Sequence, residues 1–348
     1  MRHTIGIRAA FLMAFAILVA RADSSLAQAA TSASPSPGIP ADDRIRLAEA
    51  FRLMAAVGDD VWPAWTSAPF GVMLVTADRE YLIRHPRPSR GFVRIGYDSL
   101  LASDVYFRPR TMSPTFLAAF PAVSGISTIV VGEPAATHKS STQWVLSLVH
   151  EHFHQLQHSH PDYFPGVDAL GLARGDTTGM WMLNYAFPYD SAQTQRGMAT
   201  MMSALDAALS ATSPSSRADR WRDVVRARRA LHDALPADDD RYLAFEMWQE
   251  GVARYTELTV AKWAAQRYTP SEAFRALPDY TSYADAAREL ERALRGELRN
   301  DVLARDRRVV FYPVGAATAL LLDDVAPGWR AKYFERGFTL DVEHEPER

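Results

Sequence analysis

Apolar and polar positions follow two different patterns along the chain. Between residues 69 and 131, short apolar runs rich in β-branched and aromatic residues alternate with Pro and Gly, which is the pattern of β-strands joined by turns. The runs that predict strands are Phe70–Thr76, Tyr81–Arg84, Gly91–Tyr97, Val105–Phe107 and Ile126–Val131. We expect these strands to form a small mixed sheet.

Outside this stretch, apolar positions recur at helical spacing. One helix is predicted over 42–57, and another begins at Ser140 or Ser141, either of which can cap it, and runs to about His158. The chain beyond Pro161 is mostly helical, with prolines at several of the breaks between elements. The helices predicted there cover 177–186, 192–212, 217–234, 240–267, 270–278, 282–303 and 309–324.

The two patterns divide the chain into segments. Residues 42–160 are predicted to form a sheet-containing subdomain that ends with the helix after Ser140, and residues 161–348 are predicted to form a helical subdomain. This order of elements makes the fold class α+β. Residues 30–41 are rich in Ser and Pro and predict a disordered leader.

Residues 1–29 have the pattern of a secretory signal peptide. Arg2, His3 and Arg8 form a positive region, an apolar run follows from Ala9 to Ala20, and a small-residue cleavage site occupies 27–29. An uncleaved membrane anchor is the alternative, but the apolar run is shorter than the roughly 20 residues that a spanning helix needs. We therefore expect a periplasmic or secreted protein that has no membrane segment after cleavage.

Composition narrows the possible chemistry. The 348 residues carry a formal charge of −3, which argues against a nucleic-acid partner because such proteins are usually strongly basic. The chain has no cysteine, so it has neither disulfides nor thiolate ligands, and any zinc ion must be bound by His, Asp or Glu. Composition leaves the oligomeric state open.

The residues His150-Glu151-His152-Phe153-His154 form an HExxH motif within a predicted helix. Two histidines four residues apart project from one face of a helix, so both rings can bind one ion at about 2.0–2.1 Å. A glutamate beside the first histidine can deprotonate a metal-bound water. His150 and His154 are therefore candidate metal ligands, and Glu151 is a candidate general base.

A second segment resembles a known family. The chain around Glu250 is similar to the W-x-N-E-G-x-A-x-Y-x-E segment of gluzincin metallopeptidases of the aminopeptidase N and glycyl aminopeptidase type. The matching residues are Trp248, Glu250, Gly251, Ala253, Tyr255 and Glu257, with Gln249 in the Asn position. The resemblance implies a zincin-like core and one Zn²⁺ per chain, with Glu250 as the third ligand.

Two neighbours of Glu250 have expected roles. Gly251 leaves room for the close approach of two helices that such a site requires. Glu246 and Glu257, one and two turns away from Glu250, are candidates to orient a ligand histidine through its other ring nitrogen. The resemblance favours Glu257 for this role.

A third segment, Tyr312-Pro313-Val314-Gly315, resembles the Y-x-K-G segment of the same families, with Val314 in the lysine position. The resemblance implies that Tyr312 donates a hydrogen bond to the oxyanion of a tetrahedral intermediate. The alternative is a core tyrosine with a satisfied hydroxyl. The resemblance covers these three short motifs, and an inserted segment at about 161–240 is a candidate to cover the cleft or shape specificity.

Other histidines near the motif offer a competing metal site. His160 stands where the metzincin motif HExxHxxGxxH has its third histidine, but Gln157 occupies the glycine position. We therefore expect the helix to continue and carry His160 away from the metal. His152 points off the metal-binding face, and His158 lies about 12 Å along the helix axis from His150.

These motifs predict a zinc-dependent hydrolase, a metallopeptidase that acts on a peptide or a small amide. Two alternatives stay open. A periplasmic protein that buffers metal without catalysis predicts several weakly bound ions and no need for Glu151. A peptidase-like fold retained as a structural or regulatory domain is the other alternative. The peptidase interpretation predicts one zinc ion that is lost in Glu250→Ala.

Overall fold

The computed structural model describes residues 38–341. The predicted signal peptide at 1–29 lies outside the described residues, as does most of the predicted leader at 30–41. Of that leader, the described residues include Ile39, which is buried in the core, and Ala41, the first residue of a helix. The described residues therefore include the last four positions of the Ser/Pro-rich stretch, 38–41.

Six strands form one mixed sheet in the described part of the chain. They are β1 (Val72–Val75), β2 (Arg79–Ile83), β3 (Val93–Asp98), β4 (Ser103–Pro109), β5 (Leu117–Val123) and β6 (Ile126–Gly132). The order across the sheet is β3-β4-β2-β1-β6-β5. β1 and β6 pair in parallel, and every other neighbouring pair is antiparallel. The prediction of an α+β fold with a mixed sheet is confirmed.

β5 is the strand that the hydrophobic pattern did not predict. Pro121 lies within β5, and proline normally argues against a strand because it cannot donate to the ladder. β5 lies at the edge of the sheet, and its pairing with β6 is irregular between Phe120 and Val123. Proline is tolerated at such a position. The hydrophobic pattern does not predict this strand because a proline within a run usually argues against one.

Within residues 38–341 the remaining regular elements are twelve α-helices and a few shorter turns. The helices are α1 (Ala41–Val61), α2 (Ser141–Ser159), α3 (Tyr163–Ala169), α4 (Trp181–Asn184), α5 (Ala192–Leu209), α6 (Pro214–Ala234), α7 (Ala237–Glu246), α8 (Val252–Arg267), α9 (Glu272–Arg275), α10 (Tyr283–Asn300), α11 (Leu303–Asp306) and α12 (Phe311–Val325). The helix predicted over 177–186 is reduced to the single turn of α4, since Gly179 has left-handed backbone (φ 80°) just before it. α3 was not predicted.

Two irregular turns lie next to the candidate site. A π-helical turn, Met247–Gly251, joins α7 to α8, and a 3-10 turn, Arg307–Val310, leads into α12. The apolar pattern predicts one uninterrupted helix over 240–267 because a single extra residue per turn barely disturbs the spacing of buried positions. Glu250 therefore stands on irregular backbone rather than on a regular helix.

The helix α2 lies between the sheet and the helical part of the chain. It packs on β5 and β6 and also on α1 and α8. On the sheet, Val72 and Leu74 point into the main core with these helices, while Met73 and Val75 join Phe92 in a smaller apolar cluster on the opposite face. The candidate ligands of α2 are thus carried by a helix that is held from several sides.

The segment 161–240 was expected to cover the cleft or shape specificity. Its long helices α5 and α6 pair with each other and pack on α12, and α5 also packs on α10. At its start, α3 packs on α2, and the Tyr163 hydroxyl donates to Gln249 Oε1 at 2.5 Å. The segment therefore supports the helix that carries Tyr312 and contacts the residue beside Glu250.

Candidate metal centre

The helix α2 begins at a capping box that sets its direction. Ser140 Oγ accepts a hydrogen bond from the backbone N–H of Gln143, and the Gln143 side chain accepts one from the N–H of Ser140. Further along the same helix, the rings of His150 and His154 lie one turn apart, with centroids 5.0 Å from each other. The HExxH motif therefore lies on a regular, capped helix, as its spacing predicts.

Glu250 reaches these histidines from the π turn, whose position depends on two glycines. A Cβ atom on Gly251 would lie 2.4 Å from the Cα of Gly315, and a Cβ on Gly315 would lie 2.5 Å from the carbonyl oxygen of Met247. The close approach that Gly251 predicts therefore occurs with α12. This backbone contact brings Glu250 and Tyr312 to the same side of the site.

The three predicted ligands converge on one point. Glu250 Oε2 lies 3.6 Å from His150 Nε2 and 3.4 Å from His154 Nε2, and the three donor atoms all lie within 4.8 Å of one another. Ligand atoms about 2.0–2.2 Å from one tetrahedral ion are about 3.3–3.6 Å apart. The donors and their spacing therefore fit a zinc ion bound by two histidines and a glutamate, with one tetrahedral position left for another ligand.

The second ring nitrogen of each histidine faces an oxygen atom. His154 Nδ1 lies 2.6 Å from Gln157 Oε1, and Gln157 Nε2 donates to the Tyr333 hydroxyl at 2.7 Å. His150 Nδ1 lies 3.7 Å from Glu257 Oε2. Such partners orient metal-binding imidazoles so that Nε2 faces the ion. Glu257 lies where the resemblance implies, whereas Gln157 was considered only as the residue that replaces a metzincin glycine.

The charges at the site favour a bound cation. Burial lowers the pKa of His150, but the neighbouring carboxylates of Glu250 and Glu257 outweigh burial and raise it to about 10. Burial likewise lowers the pKa of His154, and the negative charge of Glu250 reverses that effect and raises it. Burial raises the pKa of Glu250, but the two histidines hold it well below its usual range. The carboxylates thus stabilise positive charge at the histidines, which a divalent cation supplies in place of protons.

Glu151 is a buried residue of α2. It is only 4% exposed, and burial raises the pKa of its carboxyl group. The charges of His154 and His150 lower this pKa, as does a hydrogen bond from the backbone N–H of Ala119. Because Ala119 belongs to β5, Glu151 lies between the histidines and the edge strand of the sheet.

Tyr312 lies beside the predicted ligands. Its ring is stacked with that of His150, with centroids 6.5 Å apart and planes 11° from parallel. Burial raises the pKa of Tyr312 well above its usual value, and the negative charge of Glu250 contributes to the rise. Tyr312 therefore lies close enough to Glu250 for the carboxylate charge to act on its hydroxyl, and its role as an oxyanion donor stays a prediction.

Arg308 is a residue of this site that no sequence motif identified. Its Nη2 atom lies 3.3 Å from Glu250 Oε1 and 3.1 Å from Glu246 Oε2. Glu246 was a candidate to orient a histidine, and it contacts Arg308 instead. The one available signal was the position of Arg308, four residues before Tyr312 and hence on the same side of a helical turn.

His160, the third ligand of the competing metzincin interpretation, is not part of the group of three donors. The prediction that the helix continues past Gln157 is correct for two residues, since α2 ends at Ser159. The chain turns there, and the His160 ring stacks on Phe334 with centroids 4.8 Å apart. This stacking holds the His160 ring against another part of the fold.

Two further histidines of the motif region have partners of their own. His152 is buried, and its ring stacks on Phe70 at 3.9 Å and on Trp65 at 5.6 Å between centroids. Burial lowers the pKa of His152 to about 4. His158 Nδ1 lies 2.8 Å from Ser127 Oγ. His152 is therefore a core residue, and His158 is tied to β6.

None of the helices within residues 38–341 combines the length and the apolar character that a membrane span requires. Comparison of the chain with models of protein families, with curated proteins and with solved structures gave no match.

Proposed function

We propose that this chain is a zinc-dependent hydrolase of the gluzincin type, a metallopeptidase with a zincin-like core that binds one Zn²⁺ per chain. The observation that carries the proposal is the convergence of ligand atoms from His150, His154 and Glu250 within 4.8 Å, with Glu250 Oε2 3.6 and 3.4 Å from the two Nε2 atoms. Glu151 and Tyr312, which the HExxH and Y-x-K-G patterns select independently, lie beside the same three atoms. Three separate segments thus meet at one point.

Each residue around these three ligand atoms has a separate role in amide hydrolysis. A zinc ion bound by His150, His154 and Glu250 would act as a Lewis acid on a carbonyl oxygen and lower the pKa of water. Glu151 takes the proton of the attacking water as the new C–O bond forms, and passes it to the leaving nitrogen as the C–N bond breaks. Tyr312 donates to the oxyanion, an interaction worth about 2.7–4 kcal/mol at comparable sites.

The neighbouring edge strand supports a peptide as the substrate. β5 lies at one edge of the sheet, and the backbone N–H of its Ala119 donates to Glu151. An edge strand offers backbone groups with which an extended peptide can pair. A peptide bound along β5 would lie with its carbonyl groups next to the general base. We also propose a periplasmic or secreted location, on the signal-peptide pattern at 1–29.

The distribution of the histidines argues against a metal buffer. A buffer needs several exposed donor groups that bind ions independently, whereas His152 stacks in the core and His158 pairs with Ser127. Among residues 38–341, one group of three or more donors has the spacing of a metal site. This arrangement favours one tightly held ion over several weak ones.

The metal content and turnover of two variants test the proposal. We expect one zinc per chain in the wild type and in Glu151→Gln, and loss of zinc in Glu250→Ala, measured by elemental analysis after dialysis. On a peptide library, Glu151→Gln should reduce turnover by about 10²–10⁴-fold, since a general base contributes that much. Glu291→Gln is the matched control, because Glu291 is 54% exposed and pairs with Lys262 on the surface.

Two outcomes contradict the proposal. Unchanged zinc content in Glu250→Ala would show that Glu250 is not a zinc ligand. Undiminished turnover in a Glu151→Gln protein that retains its zinc would show that hydrolysis does not depend on this carboxylate.

A further inference from the structure

The two oxygens of the Glu250 carboxylate face different partners. Oε2 lies 3.6 and 3.4 Å from the Nε2 atoms of His150 and His154. Oε1 points away from them and lies 3.3 Å from Nη2 of Arg308. The carboxylate is therefore shared between the metal-binding atoms on one side and a guanidinium group on the other.

Arg308 is held in turn by a second carboxylate. Its Nη2 lies 3.1 Å from Oε2 of Glu246, whose side chain is 0% exposed, while the Arg308 side chain is 13% exposed. Glu246 stands one helical turn before Glu250, so both carboxylates face the same guanidinium. Because a buried ion pair of this kind is costly to desolvate and rarely adds stability, its presence next to a ligand points to a role at the site.

Arg308 also contacts the third segment of the site. Its guanidinium carbon lies 5.3 Å from the centre of the Tyr312 ring, which is the range of a cation–π interaction. The 3-10 turn that carries Arg308 leads directly into α12, the helix of Tyr312. One side chain thus contacts both the third ligand and the proposed oxyanion donor.

We propose that Arg308, held by Glu246, is a positioning residue that keeps Glu250 bound through a single oxygen and holds Tyr312 beside the site. The inference rests on the proposed function, because it concerns a ligand of the proposed zinc ion. Without Arg308, Oε1 is free to rotate toward the ion and to occupy a position that water or substrate needs. Partners of this kind typically change metal affinity or activity by about 10–100-fold.

Four variants separate positioning from stability. Arg308→Met removes the guanidinium but leaves Glu246 buried without a partner, which can unfold the protein for a purely structural reason. The double variant Glu246→Gln with Arg308→Met removes both charges and relieves that cost. Arg308→Lys keeps the positive charge but lacks the planar guanidinium group with its several N–H donors. Arg307→Met is the matched control, because Arg307 is 53% exposed and pairs with the exposed Asp190.

The measurements are zinc affinity by competition with a chelator, the visible absorption of the Co²⁺-substituted protein, and urea unfolding. We expect the double variant to regain the unfolding midpoint that Arg308→Met loses, yet to bind zinc about 10–100-fold more weakly and to show an altered Co²⁺ spectrum. Arg308→Lys should be intermediate in affinity, and Arg307→Met should match the wild type in all three measurements.

The outcomes distinguish the two proposals. A double variant with the zinc affinity and the Co²⁺ spectrum of the wild type would overturn the role of Arg308 and leave the zinc hydrolase intact. A wild-type protein that does not bind zinc, tested with the metal alone, would overturn both.

Discussion

The two halves of the metal centre are built on different kinds of backbone. His150, Glu151 and His154 occupy the middle of α2, a regular helix with a capping box at its start. Glu250 and Arg308 occupy a π turn and a 3-10 turn. A regular helix fixes the distance between side chains of the same element. An irregular turn can shift the position of a side chain that comes from another segment of the fold. Glu250 needs such a shift because its carboxylate must reach His150 and His154, whose positions α2 has already fixed.

The two halves also differ in the contacts that they add to apolar packing. α2 is anchored by apolar packing, with Trp144 and Phe153 fully buried, and by a hydrogen bond from Trp144 Nε1 to the carbonyl of Gly132 on β6. The Glu250 half also buries apolar residues, Met247 and Trp248 among them, but it adds the backbone contact between Gly251 and Gly315 and the Arg308 ion pairs. We therefore expect the Glu250 half to tolerate less change in shape.

The largest expected effect is on the glycine contact. In Gly315→Ala the new Cβ would lie 2.5 Å from the carbonyl oxygen of Met247, and backbone cannot move aside as a side chain can. Because overpacking typically costs 1–3 kcal/mol and sometimes more, we expect a loss of about 3 kcal/mol in the free energy of unfolding. Zinc affinity should fall as well, since the π turn carries Glu250. Urea unfolding and chelator competition measure the two effects.

Gly296→Ala is the control for this substitution. Gly296 lies inside α10, and an added Cβ there would meet no atom within 4 Å. Alanine should stabilise that helix by about 0.5–1 kcal/mol. If Gly315→Ala were as stable as Gly296→Ala, the close approach of the π turn to α12 would not hold in solution.

An intermediate effect is expected on the pH dependence of stability, through His150, which lies between Glu250 and Glu257. Its pKa is raised from 6.5 to about 10, first through Glu250 and then through Glu257. A raised pKa contributes stability that is fully present below pH 6.5 and is lost as the pH rises toward 10. In the presence of a chelator, the wild type should therefore lose stability over this range, and Glu257→Gln should lose less.

Urea unfolding of the metal-free protein at a series of pH values measures this difference. The comparison is between the wild type and Glu257→Gln at each pH, so that other groups that titrate above pH 9 cancel. Parallel curves for the two proteins would show that Glu257 does not act on His150.

The smallest effect on the site is expected for His152→Phe, because His152 belongs to the packing of α2 and not to the donor group. Zinc content and peptide hydrolysis should stay within about twofold of the wild type. The pKa of His152 is lowered to about 4, so the wild type loses stability as the pH falls from about 6.5 toward 4, because the unfolded chain binds the proton first. His152→Phe should remove that part of the acid dependence.

Acid unfolding followed by circular dichroism tests this last prediction, with zinc analysis alongside. Loss of zinc in His152→Phe would place His152 among the metal-binding residues and would weaken the contrast between the two halves.

The hydrophobic pattern predicts the elements whose spacing is regular. It finds five of the six strands of the described sheet and the start of α2, where Ser140 caps the helix. It misses β5 because Pro121 is tolerated at an edge, and it misses the π turn because one added residue leaves the buried positions nearly in phase. Both omissions lie next to the candidate site, where regular spacing is interrupted.

The chain alone carries the types and the local spacing of the donors: His150 and His154 one turn apart, Glu151 between them, and Glu250 followed by a glycine. These relations depend on the geometry of a single helix, which a few residues are enough to specify. The fold adds that Oε2 of Glu250 faces both histidines, that Arg308 binds Oε1, and that Gly251 meets Gly315. Such relations join segments far apart in the chain, and they depend on how whole elements pack, which no local pattern records.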